Sequence, residues 1–247
     1  MTAPVPSLVR QREVRAADHL ATSALMSLRG VRKTYQRDGA SVVALAGVDL
    51  DIHAGEFTAI MGRSGSGKST LLHILGLLDA EYEGTYYFDG QLVSGLSPNE
   101  LSRLRNRKIG FVFQSFHLLP QLTILENAAL PALYAGRLPR ECRAAARRRL
   151  EQMGLGNRLD HKPRELSIGQ RQRAAIARAL VNEPRVVLAD EPTGALDSRT
   201  ATEILDILHE LNRGGVTIVL VTHDHEVGET ARRIIHISDG KTDDGVA

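Results

Sequence analysis

Glu56-Phe57-Thr58-Ala59-Ile60-Met61-Gly62-Arg63-Ser64-Gly65-Ser66-Gly67-Lys68-Ser69-Thr70 decides the fold. An apolar strand runs straight into a glycine-rich turn. Leu71, Leu72, Ile74, Leu75 and Leu78 then recur at helical spacing. Gly62 to Thr70 match G-x-x-x-x-G-K-S/T in the strand–loop–helix setting that the pattern requires. The chemistry explains the residue types. Glycines let the backbone curl so that successive N–H groups point inward at phosphate oxygens. The helix that follows aims its positive end at the same anion. Lys68 supplies a full charge to the β and γ phosphates, and the Ser69 hydroxyl can ligate Mg²⁺. All nine residues, Gly62, Arg63, Ser64, Gly65, Ser66, Gly67, Lys68, Ser69 and Thr70, are therefore expected to bind nucleotide.

Downstream, Val186-Val187-Leu188-Ala189 ends in Asp190-Glu191. A strand covered on both faces seldom ends in two acids unless they meet a cation or do chemistry. Asp190 is expected to hold Mg²⁺, through water, and Glu191 to polarise the attacking water as general base. The acids can also be read as caps of the turn Pro192-Thr193-Gly194. Beside the cradle, the metal reading prevails.

Val216–Val221 is another apolar run, Thr200–Arg213 supplies a helix between the two, and Ile234–Ile237 reads as a last strand. Upstream, Val42–Leu45 and Val48–Ile52 look like two short strands, and Tyr86-Tyr87-Phe88 enters a turn at Asp89-Gly90. From about 98 to 180 the pattern is mainly helical: Asn99–Arg107, Leu122–Tyr134 bent or interrupted at Pro131, basic Arg140–Met153, and the stretch after Ser167. The expectation is an α/β core over 25–247 with a helical insert. Residues 1–24 are expected to be a poorly ordered extension, helical in part around Ala16–Met26.

Composition narrows the class. The chain has 247 residues, 43% hydrophobic and 24% charged, enough for one domain with an inserted lobe. A net charge of +2 is too small to call for nucleic acid, and Arg143, Arg147, Arg148 and Arg149 read as a solvated helix face. Cys142 is the sole cysteine, which excludes an intrachain disulfide. No apolar run approaches the roughly 18–20 residues that span a bilayer, so a membrane role must come through a partner.

Further segments resemble one family, the ABC ATPases. Leu166-Ser167-Ile168-Gly169-Gln170, before an alanine-rich helix, resembles its signature. Gln114 resembles its Q-loop, Ala195-Leu196-Asp197 its D-loop, His223 its switch histidine, and Tyr35 the aromatic residue that stacks on adenine. The resemblance spans about Leu28 to Lys241. It implies a P-loop NTPase fold with a mainly parallel central sheet, an N-terminal antiparallel β part and the helical insert. It also implies a split site in a homodimer. The cradle and acids of one copy bind ATP and Mg²⁺, and Ser167, Gly169 and Gln170 of the other cover the γ-phosphate. Gln114 contacts the γ-phosphate and the metal, His223 contacts the γ-phosphate and helps position water and Glu191, and Asp197 works across the interface. Ile168 stands where the family most often has glycine, which implies a stiffer signature loop. Arg63 also departs from the usual residue, with little effect expected.

Leu96–Arg107, Ile109–Gln114, Phe116–Pro120 and Leu122–Asn127 are similar to the macrolide-export and lipoprotein-release branch. That branch implies a separate transmembrane permease, export or lipid extraction, and a peripheral place on the cytoplasmic face of the inner membrane. It also implies a docking surface between Gln114 and Tyr134, to which Phe116, Leu118, Leu119 and Leu122 can contribute. An ATPase that regulates a membrane-linked process such as cell-wall remodelling shares these motifs and remains open. Relatives that act on ribosomes or DNA carry paired ATPase domains or long coiled coils, which do not fit here.

Overall fold

The computed structural model describes residues 24–37 and 40–245. The expected extension therefore lies outside the described residues, except that Ala24–Met26, placed in its helical part, begin a strand instead.

Two sheets face each other. The smaller is antiparallel, in the order β2-β1-β4-β5, from β1 (Ala24–Arg37), β2 (Ala40–His53), β4 (Glu83–Phe88) and β5 (Gln91–Leu92). The two short strands expected between Val42 and Ile52 are one strand. Its pairing with β1 slips between Val31↔Val48 and Arg32↔Ala46, so Gly47, at φ 103°, is an extra bulged residue. The bulge breaks the period-2 alternation that would have marked a single strand.

The larger sheet has the order β10-β9-β3-β8-β7-β6. It comprises β3 (Phe57–Met61), β6 (Ile109–Phe113), β7 (Val186–Asp190), β8 (Thr217–Thr222), β9 (Arg233–Ser238) and β10 (Lys241–Gly245). All neighbours are parallel except the β9–β10 pair. Its inner strands β3, β7 and β8 are almost wholly buried, and their apolar side chains enter different cores in turn. Phe57, Val187, Ile218 and Leu220 join the helical side. Ile60, Leu188, Val219 and Val221 join the core beneath the antiparallel sheet. Each such fully buried side chain stabilises the fold by about 1.5–3 kcal/mol.

The helices follow the sequence pattern closely: α1 (Lys68–Leu75), α2 (Pro98–Lys108), α3 (Ile124–Tyr134), α4 (Pro139–Gln152), α5 (Ile168–Leu180), α6 (Ser198–Arg213) and the short α7 (His225–Glu229). Ser97, Thr123 and Ser167 each begin a helix through a reciprocal capping box. Helix α3, expected to be bent or interrupted at Pro131, continues through it without interruption. The Pro131 carbonyl accepts the Ala135 N–H (3.0 Å) and also Asn106 Nδ2 (2.9 Å) and Asn182 Nδ2 (3.0 Å). The helical stretch expected over 98–180 needs one correction. Strand β6 lies within it and pairs with β7, so the chain re-enters the large sheet before building the helical lobe.

Candidate functional site

Register assembles the site. Met61 pairs with Thr222, Asp190 with Val221, and Phe113 with Asp190. The next residues, Gly62, His223, Glu191 and Gln114, thus leave the carboxyl ends of neighbouring parallel strands side by side. Open α/β sheets bind ligands at this edge. Here it opens on a cleft of about 930 Å³.

One wall is the glycine loop. Gly67, at φ 109°, caps α1 in the left-handed region. A Cβ on it would lie 2.5 Å from the Ala44 carbonyl oxygen, and one on Gly62 would collide with Ile237 O and Ser66 Oγ. The curl thus needs both glycines. Gly240 N–H fixes the loop from behind by donating to Ser66 O at 3.1 Å. Lys68 is buried to 9% exposure, and its ammonium donates to Gly62 O (2.7 Å) and Arg63 O (2.9 Å). Gly62, Arg63, Ser64, Gly65, Gly67, Lys68, Ser69 and Thr70 all line the cleft. Ser66 does not line it, and its buried hydroxyl has no hydrogen-bond partner among the described residues.

The opposite wall carries the acids. Burial raises the Asp190 carboxyl above its ordinary value, the charge of Glu191 raises it further, and His73, Lys68 and His117 oppose the shift. Two neighbouring carboxylates held this way favour a cation between them and a phosphate. Glu191 sits at φ 46° with its N–H on the Val221 carbonyl (2.9 Å), which turns its side chain into the cleft. Its Oε1 lies 2.6 Å from His223 Nδ1. Gln114 packs on Gly194, whose Cβ would come within 2.8 Å of the Gln114 amide nitrogen.

The chain after Gln114 is held rigidly. Phe116 and His117 adopt positive φ, and Arg178 donates to both their carbonyls. Buried Asn127 accepts from Leu119 N–H and donates to the carbonyls of Leu119, Leu122 and Thr123. Phe116, Leu118 and Leu122 are half-buried, and Leu119 is exposed.

Tyr35 lines the far end of the cleft together with exposed Val42 and Val43. Ser167, Gly169, Gln170 and Asp197 do not line it. Ser167 caps α5 and Asp197 caps α6 by accepting from Thr200 N–H. Both caps are exposed.

Three contributors were not expected from the sequence. His225, at the start of α7, and His236, which pairs with Met61 in the large sheet, both line the cleft. Gln172 is fully buried in α5 and donates from Nε2 to Pro192 O at 2.7 Å, directly after Glu191.

Comparison with known proteins identifies the family. The ABC transporter family matches residues 45–194. The ABC transporter ATP-binding protein YknY of Bacillus subtilis (strain 168), itself described as uncharacterized, is 51% identical over 216 residues, covering 87% of this chain and 94% of YknY. The macrolide export ATP-binding/permease protein MacB of Escherichia coli is 52% identical over 217 residues, covering 88% of this chain. The chain spans only 34% of MacB's length. A solved dimeric structure of the ATP-binding cassette MJ0796, in a post-hydrolysis state bound to ADP and Pi, aligns with a TM-score of 0.82 at 44% identity. It covers 90% of this chain and 99% of that one. With its cradle, its acids and its histidine meeting at one sheet edge, the chain belongs to the ABC transporter family as an ATP-binding, ATP-hydrolysing cassette.

Proposed function

We propose that this chain powers a separate transmembrane permease, and that two copies close around two ATP molecules to do so. One observation carries the dimer: Ser167, Gly169, Gln170 and Asp197 stay outside the cleft that Lys68, Asp190 and Glu191 line. A second copy facing the first supplies what the cleft lacks. Ser167 Oγ accepts from Gln170 N–H at 3.2 Å, which leaves its O–H free to donate to a γ-phosphate. The Gly169 N–H and the positive end of α5 act in the same direction. ATP is then the link that holds the copies together.

Within each cleft, Lys68 exchanges its two loop carbonyls for phosphate oxygens. Tyr35 stacks on the base. Ser69, Gln114 and Asp190 would hold Mg²⁺, which supplies charge neutralisation at the transferred phosphate. Glu191 takes a proton from the attacking water, and His223 orients it through the short Nδ1 contact. Asp197 acts across the interface. The rigid segment after Gln114 links the phosphates to the helical lobe.

Among the described residues no helix is long and apolar enough to cross a membrane, so force reaches the bilayer through the partner, from the cytoplasmic face. Export or lipid extraction is the direction favoured by similarity to MacB, whose name records macrolide export.

Mixed variants test the split site. Lys68→Ala and Ser167→Phe proteins should each be inactive, and mixing them should restore turnover at the one intact composite site. Without recovery on mixing, the shared site is wrong. The permease is tested by purifying the full chain from membranes, where recovery with no membrane-spanning polypeptide would remove the transporter reading.

A further inference from the structure

Three side chains outside the phosphate machinery meet behind the base end of the cleft. Lys33 on β1 is buried, with its side chain 7% exposed. Its ammonium donates to Asp79 Oδ1 at 2.9 Å and to Glu81 O at 2.5 Å. The same ammonium lies over the Tyr35 ring, 5.0 Å from its centroid. Asp79 Oδ2 accepts the Tyr35 hydroxyl at 3.2 Å. Asp79 in turn is anchored, since Oδ1 also accepts Glu81 N–H at 3.0 Å. It follows α1, and its own N–H bonds back to the His73 carbonyl in that helix.

The arrangement constrains the ring twice. A carboxylate pins its hydroxyl, and a cation covers one face. The opposite face is left for a base. Because Asp79 is fastened to the helix that begins with the phosphate loop, the ring is held at a set distance from Lys68. An exposed tyrosine without such ties would lose rotamer freedom on stacking.

We infer that Lys33 and Asp79 are positioning residues that hold Tyr35 as a preformed platform for the nucleotide base. The inference rests on the reading of Tyr35 as the base-stacking residue. It concerns base recognition alone, so ligands without a base should not sense it.

Calorimetric titration of the full chain with ADP and with inorganic pyrophosphate separates the possibilities. Lys33→Met combined with Asp79→Asn removes both charges of the pair together. This double variant should bind ADP about three- to tenfold more weakly, with pyrophosphate affinity unchanged. Tyr35→Phe keeps the ring and cuts only the tether, and should weaken ADP about twofold with the fold undisturbed. Tyr35→Ala should weaken ADP by about tenfold or more. If Tyr35→Ala binds ADP as the parent does, the platform itself is wrong and the inference falls with it. If Tyr35→Ala weakens ADP while the double variant and Tyr35→Phe do not, the platform stands and the positioning role is overturned. Equal loss of ADP and pyrophosphate binding would also overturn it, by showing a general structural role. If the double variant does not fold, Tyr35→Phe decides alone.

Discussion

His223 Nδ1 lies 2.6 Å from Glu191 Oε1, across two adjacent parallel strands. The imidazole Nδ1–H donates to the carboxylate, so Nε2 is the nitrogen left to face the cleft. Glu191 is mostly buried, with 17% side-chain exposure, whereas His223 is 69% exposed. The buried partner is therefore fixed, and the exposed one can swing as phosphate arrives and leaves.

That asymmetry predicts separate kinetic effects. His223→Ala leaves Glu191 in place but removes the imidazole N–H that its carboxylate accepts, so kcat should fall about 10- to 100-fold with little change in KM for ATP. Phosphate release measured against ATP concentration checks this. A change in KM alone would mean that His223 binds nucleotide and does not orient Glu191.

Glu191→Gln keeps the shape and removes the base. Turnover should drop by about a hundredfold or more, while ATP still assembles the two-copy complex. Size-exclusion chromatography with ATP should show a dimer that ADP does not support. A monomer under both conditions would contradict the shared site.

The sequence shows more of this site than of its surroundings. The cradle is legible because Gly62 to Thr70 are contiguous and their residue types are dictated by phosphate. The acids are legible because Asp190 and Glu191 end an apolar run. Strand β6 is hard to see, since five residues between helical patterns are too few to establish a period. The single strand β2 is hidden by its bulge at Gly47. Gln172 and His236 are invisible for a different reason. One points inward from the polar run Gln170-Arg171-Gln172-Arg173, and the other reaches the cleft only through the pairing of β9 with β3. Such placements depend on tertiary register, which local pattern does not encode.

Asp79 gives a pH dependence. Burial acts to raise its carboxyl, but the Lys33 and Glu81 hydrogen bonds, the Lys33 charge and the Tyr35 hydroxyl outweigh it and hold the carboxyl below its ordinary value. A depressed carboxyl contributes stability above its unfolded pKa and loses it as pH falls through the lower folded value. Asp79→Asn should therefore cost about 2 kcal/mol at pH 7. The gap to the parent should close as pH falls below about 4. Urea denaturation at pH 7, 5 and 3.5 measures it, and a gap that does not vary with pH would rule out the charged pair as its source.

Gly169 offers the sharpest steric test, because its neighbour is identified. A Cβ there would sit 2.5 Å from Thr200 Cγ2. Thr200 cannot easily turn away, since its hydroxyl donates to Asp197 Oδ2 at 2.7 Å and its N–H donates to Asp197 Oδ1 at 3.0 Å. Gly169→Ala should thus press on the cap of α6 as well as on the start of α5, and ATPase activity should fall about tenfold or more, as small misplacements of positioning groups do. Thr200→Ser removes the offending methyl and keeps the hydroxyl that Asp197 accepts. The double variant Gly169→Ala/Thr200→Ser should recover most of the lost rate, while Thr200→Ser alone stays near the parent. If the second change brings no recovery, the damage lies in the contact of position 169 with the facing copy, and the intrachain clash is not its cause.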